Sequence, residues 1–159
     1  MASFSAILYP TDFSPASKPA LGVARSLART HGARLVIVHV VRDEHVPGVV
    51  NEAWNELVAA RAELDQLRDQ VDGPDLKLGT ETHLRRGRVA SEILDAADEI
   101  SCDLIVMGSH GRSALGRVVF GSVAEAVLRK ATCPVIIVRE SRPVASADAR
   151  SIAVETAKT

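Results

Sequence analysis

Asp103-Leu104-Ile105-Val106-Met107 leads into Gly108-Ser109-His110-Gly111-Arg112-Ser113-Ala114-Leu115-Gly116, and the loop closes at Phe120-Gly121-Ser122-Val123. The apolar run has no polar alternation, so it reads as a strand buried on both faces, as parallel sheets require. Gly121 to Lys130 reads as a helix. A strand, a long glycine-bearing loop and a helix in succession point to an open α/β sheet. Glycines let the backbone approach a ligand closely and adopt positive φ. Free amides at the following helix start favour an anion, and Ser122 adds a hydroxyl. The same features also describe a surface loop with a glycine at each bend.

The flanking sequence repeats the alternation. On the C-terminal side, Val135 to Val138 reads as a fifth strand with Pro134 at its start. On the N-terminal side, Val89, Ile93, Leu94, Ala97 and Ile100 form a helical stripe after a turn opened by Gly87. Leu76 to Leu84 alternates as an edge or half-covered strand, after a break at Asp72-Gly73-Pro74. Val50, Trp54, Leu57, Leu64, Leu67 and Val71 fall on one side of a long helix, which places Trp54 in the core. Glu52, Glu56, Arg61, Asp65 and Arg68 then form its solvated face, and Pro47-Gly48 marks the loop before it. Leu35 to Val41 is a buried second strand. Ala20, Leu21, Ala24, Leu27 and Ala28 form a helix, with Ser14 as N-cap, Pro15 at its first position and Gly32 as its stop. Ala6 to Tyr9 is the first strand, ended by Pro10.

The order βαβαβαβαβ predicts a five-stranded parallel sheet with helices on both faces. Right-handed crossovers leave few topologies, among them the strand orders 2-1-3-4-5 and 3-2-1-4-5. Either way ligands belong beyond the carboxyl ends of the strands. That names the Pro10-to-Ser14 loop, the end of the second strand and the loop after Met107.

The chain has 159 residues, 47% apolar and 25% charged, which suits one folded domain. Residues 1–140 carry the pattern, and 141–159 read as an Ala-, Ser- and Arg-rich tail. Nineteen basic and twenty acidic residues give a net charge of −1, which argues against a broad grip on nucleic acid or anionic lipid. Aromatics at 3% argue against base-stacking platforms. Cys102 and Cys133 form no CxxC and have no His at zinc spacing, so they read as small buried hydrophobes. The N-terminus has no basic region and no long apolar run, and no membrane span is expected, so cytoplasmic residence is the default.

Several chemistries are excluded by motif. There is no Walker P-loop and no G-x-G-x-x-G after the first strand. Ser113 lies in G-x-S-x-x-G, one residue too long for a nucleophile elbow. A receiver domain needs an acidic pair after the first strand, an Asp after the third and a Lys after the fifth. Here Asp12 stands alone, Arg85-Arg86 follow the third and Arg139 the fifth.

Gly108-x2-Gly111-x9-Gly121-Ser122 resembles the nucleotide-binding signature of the universal stress protein (UspA-like) family. Ile7-Leu8-Tyr9-Pro10-Thr11-Asp12 resembles its first strand and acidic turn. Leu104 to Gly108 and Cys133 to Val138 resemble its fourth and fifth strands. The likeness covers about residues 3–140. It implies an adenine nucleotide alpha hydrolase-like, Rossmann-like fold in the order 3-2-1-4-5, a homodimer and ATP binding.

The resemblance also implies site roles. Asp12, with Pro10 and Thr11 beside it, meets the nucleoside. Val40 offers backbone groups to the adenine edge. Met107 and Gly108 line the ribose side. Gly111, Gly121, Ser122 and Val123 hold the phosphates, with His110 and Arg112 as further neighbours. Mg²⁺ or Mn²⁺ would be held mainly by the phosphates, because no carboxylate cluster is available. The implied function is an ATP-binding regulator or sensor in the stress response. The alternative is a dimeric interaction module with a vestigial pocket. Binding is expected more than turnover, since no motif places a general base or a phosphate-directed Lys; slow hydrolysis or autophosphorylation is the most that is expected. The dimer is expected through Val135-Ile136-Ile137-Val138, an apolar sheet edge.

Other readings stay with the bare residues. Asp12 also suits a cap for the helix near Ser14. His39 reads as a packed strand residue, His31 and His45 as loop residues, and His83 lacks a second ligand. Arg85, Arg86 and Arg88 suit either a solvated turn or a phosphate attractor.

Overall fold

The computed structural model describes residues 3–43, 50–73, 79–110 and 120–140. Five strands, β1 (Ala6–Pro10), β2 (Arg34–Arg42), β3 (Glu81–Gly87), β4 (Leu104–Gly108) and β5 (Val135–Val138), form one sheet in the order β3-β2-β1-β4-β5. All pairings are parallel, with Leu8 opposite Val36 on one side and Ile105 on the other. The order 3-2-1-4-5 is therefore the one adopted. The chain reverses direction across the sheet between β1 and β4, and a crevice opens there at the carboxyl ends.

Alternation along each strand sorts the core into two layers. Leu8, Val36, Val38, Ile105, Val135 and Ile137 face α3 (Val89–Glu99) and α4 (Ser122–Lys130) through Ile93, Ala96, Ala124 and Val127. Ile7, Tyr9, Leu35, Ile37, Leu104 and Val106 face α1 (Lys18–His31) and α2 (Val50–Asp72) through Ala20, Ala24, Ala28, Leu64 and Val71. Leu8 is fully enclosed, and truncating it to Ala would cost about 2–5 kcal/mol.

Several local expectations are corrected. Pro15 opens a short 3-10 turn (Pro15–Ser17), so the cap position of α1 moves from Ser14 to Ser17, and neither side chain makes a capping hydrogen bond. Gly32 does end α1, in the left-handed conformation at φ 64°. His31 is the last residue of α1 and meets the Phe4 ring edge-on, so it is no loop residue. Trp54 is 68% exposed and Val58 53%, so Trp54 is not core. The inward seam of α2 is Ala53, Leu57, Ala60, Leu64, Leu67 and Val71, at alternating steps of four and three.

The third strand begins later than expected and continues through Arg85 and Arg86. β3 is an edge strand with half-exposed side chains, and long cations are at home there. Arg85 donates to Glu92 at 2.8 Å and to Glu99 at 2.7 Å, which ties β3 to α3. The two carboxylates raise the Arg85 pKa further above its already high value. His83 lies within β3, 3.6 Å from Glu81. Pro47-Gly48, His45, residues 74–78 and the tail 141–159 lie outside the described residues.

Candidate functional site

β1 ends in Pro10, and the following turn is held by its own side chains. Thr11 Oγ1 accepts from the Phe13 amide at 3.0 Å, and Asp12 Oδ1 accepts from the Ser14 amide at 3.0 Å. The Thr11 amide donates to the Val38 carbonyl at 2.9 Å, fixing the turn to β2. Phe13 adopts φ 61°, a left-handed conformation that costs a bulky residue energy. Such strain gathers at functional sites. The Phe13 ring packs on the His39 ring at 4.3 Å, and His39 Nδ1 lies 2.8 Å from the Thr11 carbonyl oxygen.

β4 ends at Gly108, where a Cβ would stand 3.2 Å from the Ala16 carbonyl oxygen. A side chain there would press on the 3-10 turn, so glycine allows the end of β4 to lie against it. Tyr9, fully buried beneath, donates its hydroxyl to the Ser17 carbonyl at 3.0 Å. Burial raises the Tyr9 pKa, so its proton stays in place. The Gly121 amide donates to the Ser109 carbonyl at 2.7 Å, which holds the start of α4 against the end of β4. Gly121 is the N-cap residue at φ −69°, ψ 157°. Neither Gly108 nor Gly121 has a positive φ. Positive φ is thus not what glycine supplies at these two positions, and open space is.

These elements enclose a cavity of about 480 Å³ at the carboxyl ends of β1, β2 and β4. Pro10, Thr11, Asp12, Val40, Met107, Gly108, His110, Gly121, Ser122 and Val123 all line it. Gly111 and Arg112 lie outside the described residues. The Ser109 hydroxyl lies 2.9 Å from His110 Nδ1. Asp12 is not the N-cap of the 3-10 turn or of α1; its carboxylate supports the turn before them and lines the cavity.

Further lining residues escaped the sequence reading, among them Ser17, His39, Val41, Glu56, Arg86 and Val89. His39 is both a packed strand residue and part of the cavity wall. Arg86 holds Asp43 at 2.8 Å, so this member of the basic cluster is an ion-paired edge residue. Glu56 belongs to α2, whose first turns pass over the cavity, and is not merely on a solvated face. The signal available in the sequence was the carboxyl-end rule, applied to β3 and to the start of α2 as well. No cluster of metal-ligating side chains occurs among the described residues.

The arrangement is suited to hold a ligand with a polar ring at one end and an anion at the other. Asp12 and the β2 end offer acceptors and backbone groups. The first amides of α4 offer donors and a positive dipole end.

The family model for the universal stress protein family matches residues 3–139. This chain belongs to that family. A universal stress protein of Thermus aquaticus is 37% identical over 138 residues, covering 86% of this chain and 99% of that one. The structure of UspA from Lactobacillus plantarum aligns with a TM-score of 0.76 at 30% identity, covering 87% of this chain and all of that one. A universal stress protein from Archaeoglobus fulgidus, solved in complex with dAMP, aligns with a TM-score of 0.58 at 25% identity, covering 86% of this chain and 98% of that one. In this universal stress protein no described helix is long and apolar enough to cross a membrane.

Proposed function

We propose that this universal stress protein binds ATP and acts as a cytoplasmic, nucleotide-dependent regulator in the stress response. One observation carries the reading: Asp12, the end of β2 and the N-terminus of α4 converge on a single cavity of about 480 Å³. That size is within the range of about 300–1,000 Å³ common for small-ligand pockets. The adenine ring would lie along the Val40 backbone, the ribose against Asp12 and Gly108, and the phosphates over Gly121, Ser122 and Val123, with Gly111, Arg112 and His110 beside them. The dAMP complex of the Archaeoglobus fulgidus neighbour supports an adenine nucleotide in this fold. Mg²⁺ or Mn²⁺ would arrive on the phosphates, and the protein's own contribution is orientation and charge neutralisation by amides.

The unit is a homodimer in this reading, joined through the outer edge of β5, which ends the sheet among the described residues. A two-fold axis would set two such edges antiparallel and give one continuous sheet. The test is to purify the protein without added nucleotide, denature it and analyse the supernatant by anion exchange at 260 nm. Released ATP supports the sensor reading. No released nucleotide, with no binding on titration, supports a dimeric module with a vestigial pocket.

A further inference from the structure

Cys102 and Cys133 are 31 residues apart in sequence, yet their Sγ atoms lie 3.5 Å from each other. Cys102 stands just before β4 and Cys133 just before β5. Both are at the amino ends of these parallel strands, the end of the sheet opposite the nucleotide cavity. The two loops are held in place by backbone and side-chain bonds. The Cys102 amide donates to the Ala97 carbonyl at 3.0 Å, and the Thr132 hydroxyl donates to Asp98 at 3.2 Å. Cys102 is 9% exposed and belongs to the core, whereas Cys133 is half-buried and reaches solvent. Both are free thiols. As small buried hydrophobes they need not have faced each other; facing each other, they form a dithiol.

We propose that Cys102 and Cys133 form a reversible intramolecular disulfide when the protein meets a hydroperoxide, with Cys133 as the attacking thiol and Cys102 as the resolving one. Cys133 sulfur attacks the distal peroxide oxygen, the O–O bond breaks, and the alcohol or water leaves with one proton. Cys133 is then a sulfenic acid. Cys102 sulfur attacks it, the S–O bond breaks, and a second water leaves with the Cys102 proton. Two thiols and one hydroperoxide thus give one disulfide, one alcohol or water, and one further water. A dithiol reductant reverses the reaction.

Exposure and electrostatics give the same order of attack. The two sulfurs share one hydrogen bond, which draws the Cys133 thiol below its usual range, against burial and the nearby Asp98 and Asp103. The same bond, with burial, pushes Cys102 far up. The thiolate is the nucleophile, so the partner that ionises more readily reacts first. The disulfide would link the α3–β4 and α4–β5 connections. It would stiffen the lower end of the sheet and leave the Asp12 and Gly121 regions in place.

The test is to treat the reduced full-length protein with hydrogen peroxide under native conditions and count thiols by maleimide labelling after denaturation. The expected result is a fall from two free thiols to none, with loss of the mass of two hydrogens. A proteolytic fragment should join the Cys102 and Cys133 peptides, and dithiothreitol should restore both thiols. The oxidised chain should melt higher by about 5 °C or more, because the bridge closes a long loop. In Cys102→Ser, dimedone should trap a sulfenic acid at Cys133. In Cys133→Ser, peroxide should consume the remaining thiol at least about tenfold more slowly. Two thiols persisting in the wild-type chain, a disulfide between chains, or faster oxidation of Cys102 alone than of Cys133 alone would overturn the proposal.

Discussion

The Gly121 amide and the Ser109 carbonyl are joined at 2.7 Å, so the residue after β4 and the residue before α4 are held together directly. That backbone bond, with the buried Ala124 and Val127, holds the N-terminus of α4 beside the cavity. Asp12, on the turn after β1, closes the other side of the same crevice.

Gly121→Val tests the phosphate end. Gly121 has an extended backbone, and a Cβ would stand 3.4 Å from the Ser109 carbonyl oxygen, an ordinary contact. The fold should survive with a melting temperature near wild type, while thermal stabilisation by ATP disappears. Ser122→Ala should weaken ATP by about 0.5–1.5 kcal/mol, or up to about 3 kcal/mol where the hydroxyl meets a charged phosphate. A Gly121→Val chain stabilised by ATP like wild type would place the phosphates elsewhere.

Asp12→Ala has two expected effects, because the carboxylate accepts from the Ser14 amide and also lines the cavity. Stability should fall by about 0.5–2 kcal/mol, as for a lost cap. Affinity for ATP and for adenosine should fall together. Asp12→Asn keeps an acceptor for Ser14 and should recover most of the stability without all of the affinity. Paired urea and calorimetric titrations separate the two. Lost stability with intact affinity would confine Asp12 to the turn.

The dimer is tested at β5, where side chains point to the faces of the sheet and the backbone forms the edge. Ile137 is 4% exposed and packs in the α3–α4 layer, so Ile137→Lys should unfold the chain instead of splitting a dimer. Ile136 is only partly buried and is the better probe. Sedimentation of the wild type at micromolar concentration should give about twice the 16.9 kDa chain mass. Ile136→Lys should shift it toward monomer. A wild-type monomer would remove the edge-to-edge arrangement.

Much of the fold was legible in the sequence because the buried strands are unbroken apolar runs and Gly32 and Pro134 mark boundaries. The α2 face was misread for a physical reason. Its seam is built partly of Ala53 and Ala60, small residues that hydrophobic counting passes over, while the large Trp54 faces solvent one position away. Arg85-Arg86 looked like a turn because the ion pairs that suit them to an edge strand come from other elements, Glu92 and Glu99 of α3 for Arg85 and Asp43 after β2 for Arg86. The cavity's main wall was legible from glycines and one acidic turn. His39, Glu56 and Arg86 were not, since their role depends on tertiary placement. The cysteine contact was equally invisible, because no spacing rule links residues that meet only through the sheet.

Asp103 gives a pH prediction. Its carboxylate accepts from the Ser5 and Ala6 amides at 2.6 and 2.9 Å, tying β4 to the start of β1. The Ala6 and Ser5 amides lower its pKa. A carboxyl with a depressed folded pKa adds stability above its unfolded value of about 3.9 and loses it as pH falls through the folded value. Asp103→Ala should therefore be less stable than wild type at neutral pH, and the two urea midpoints should converge as the pH falls through the folded value. A constant gap across that range would show that the contribution is not tied to the charge.

The most direct measurement is calorimetric titration of the nucleotide-stripped wild-type protein with ATP in the presence of Mg²⁺. The expected result is saturable binding of one ATP per chain, lost in Gly121→Val. Absence of saturable binding to a folded wild-type chain would contradict it.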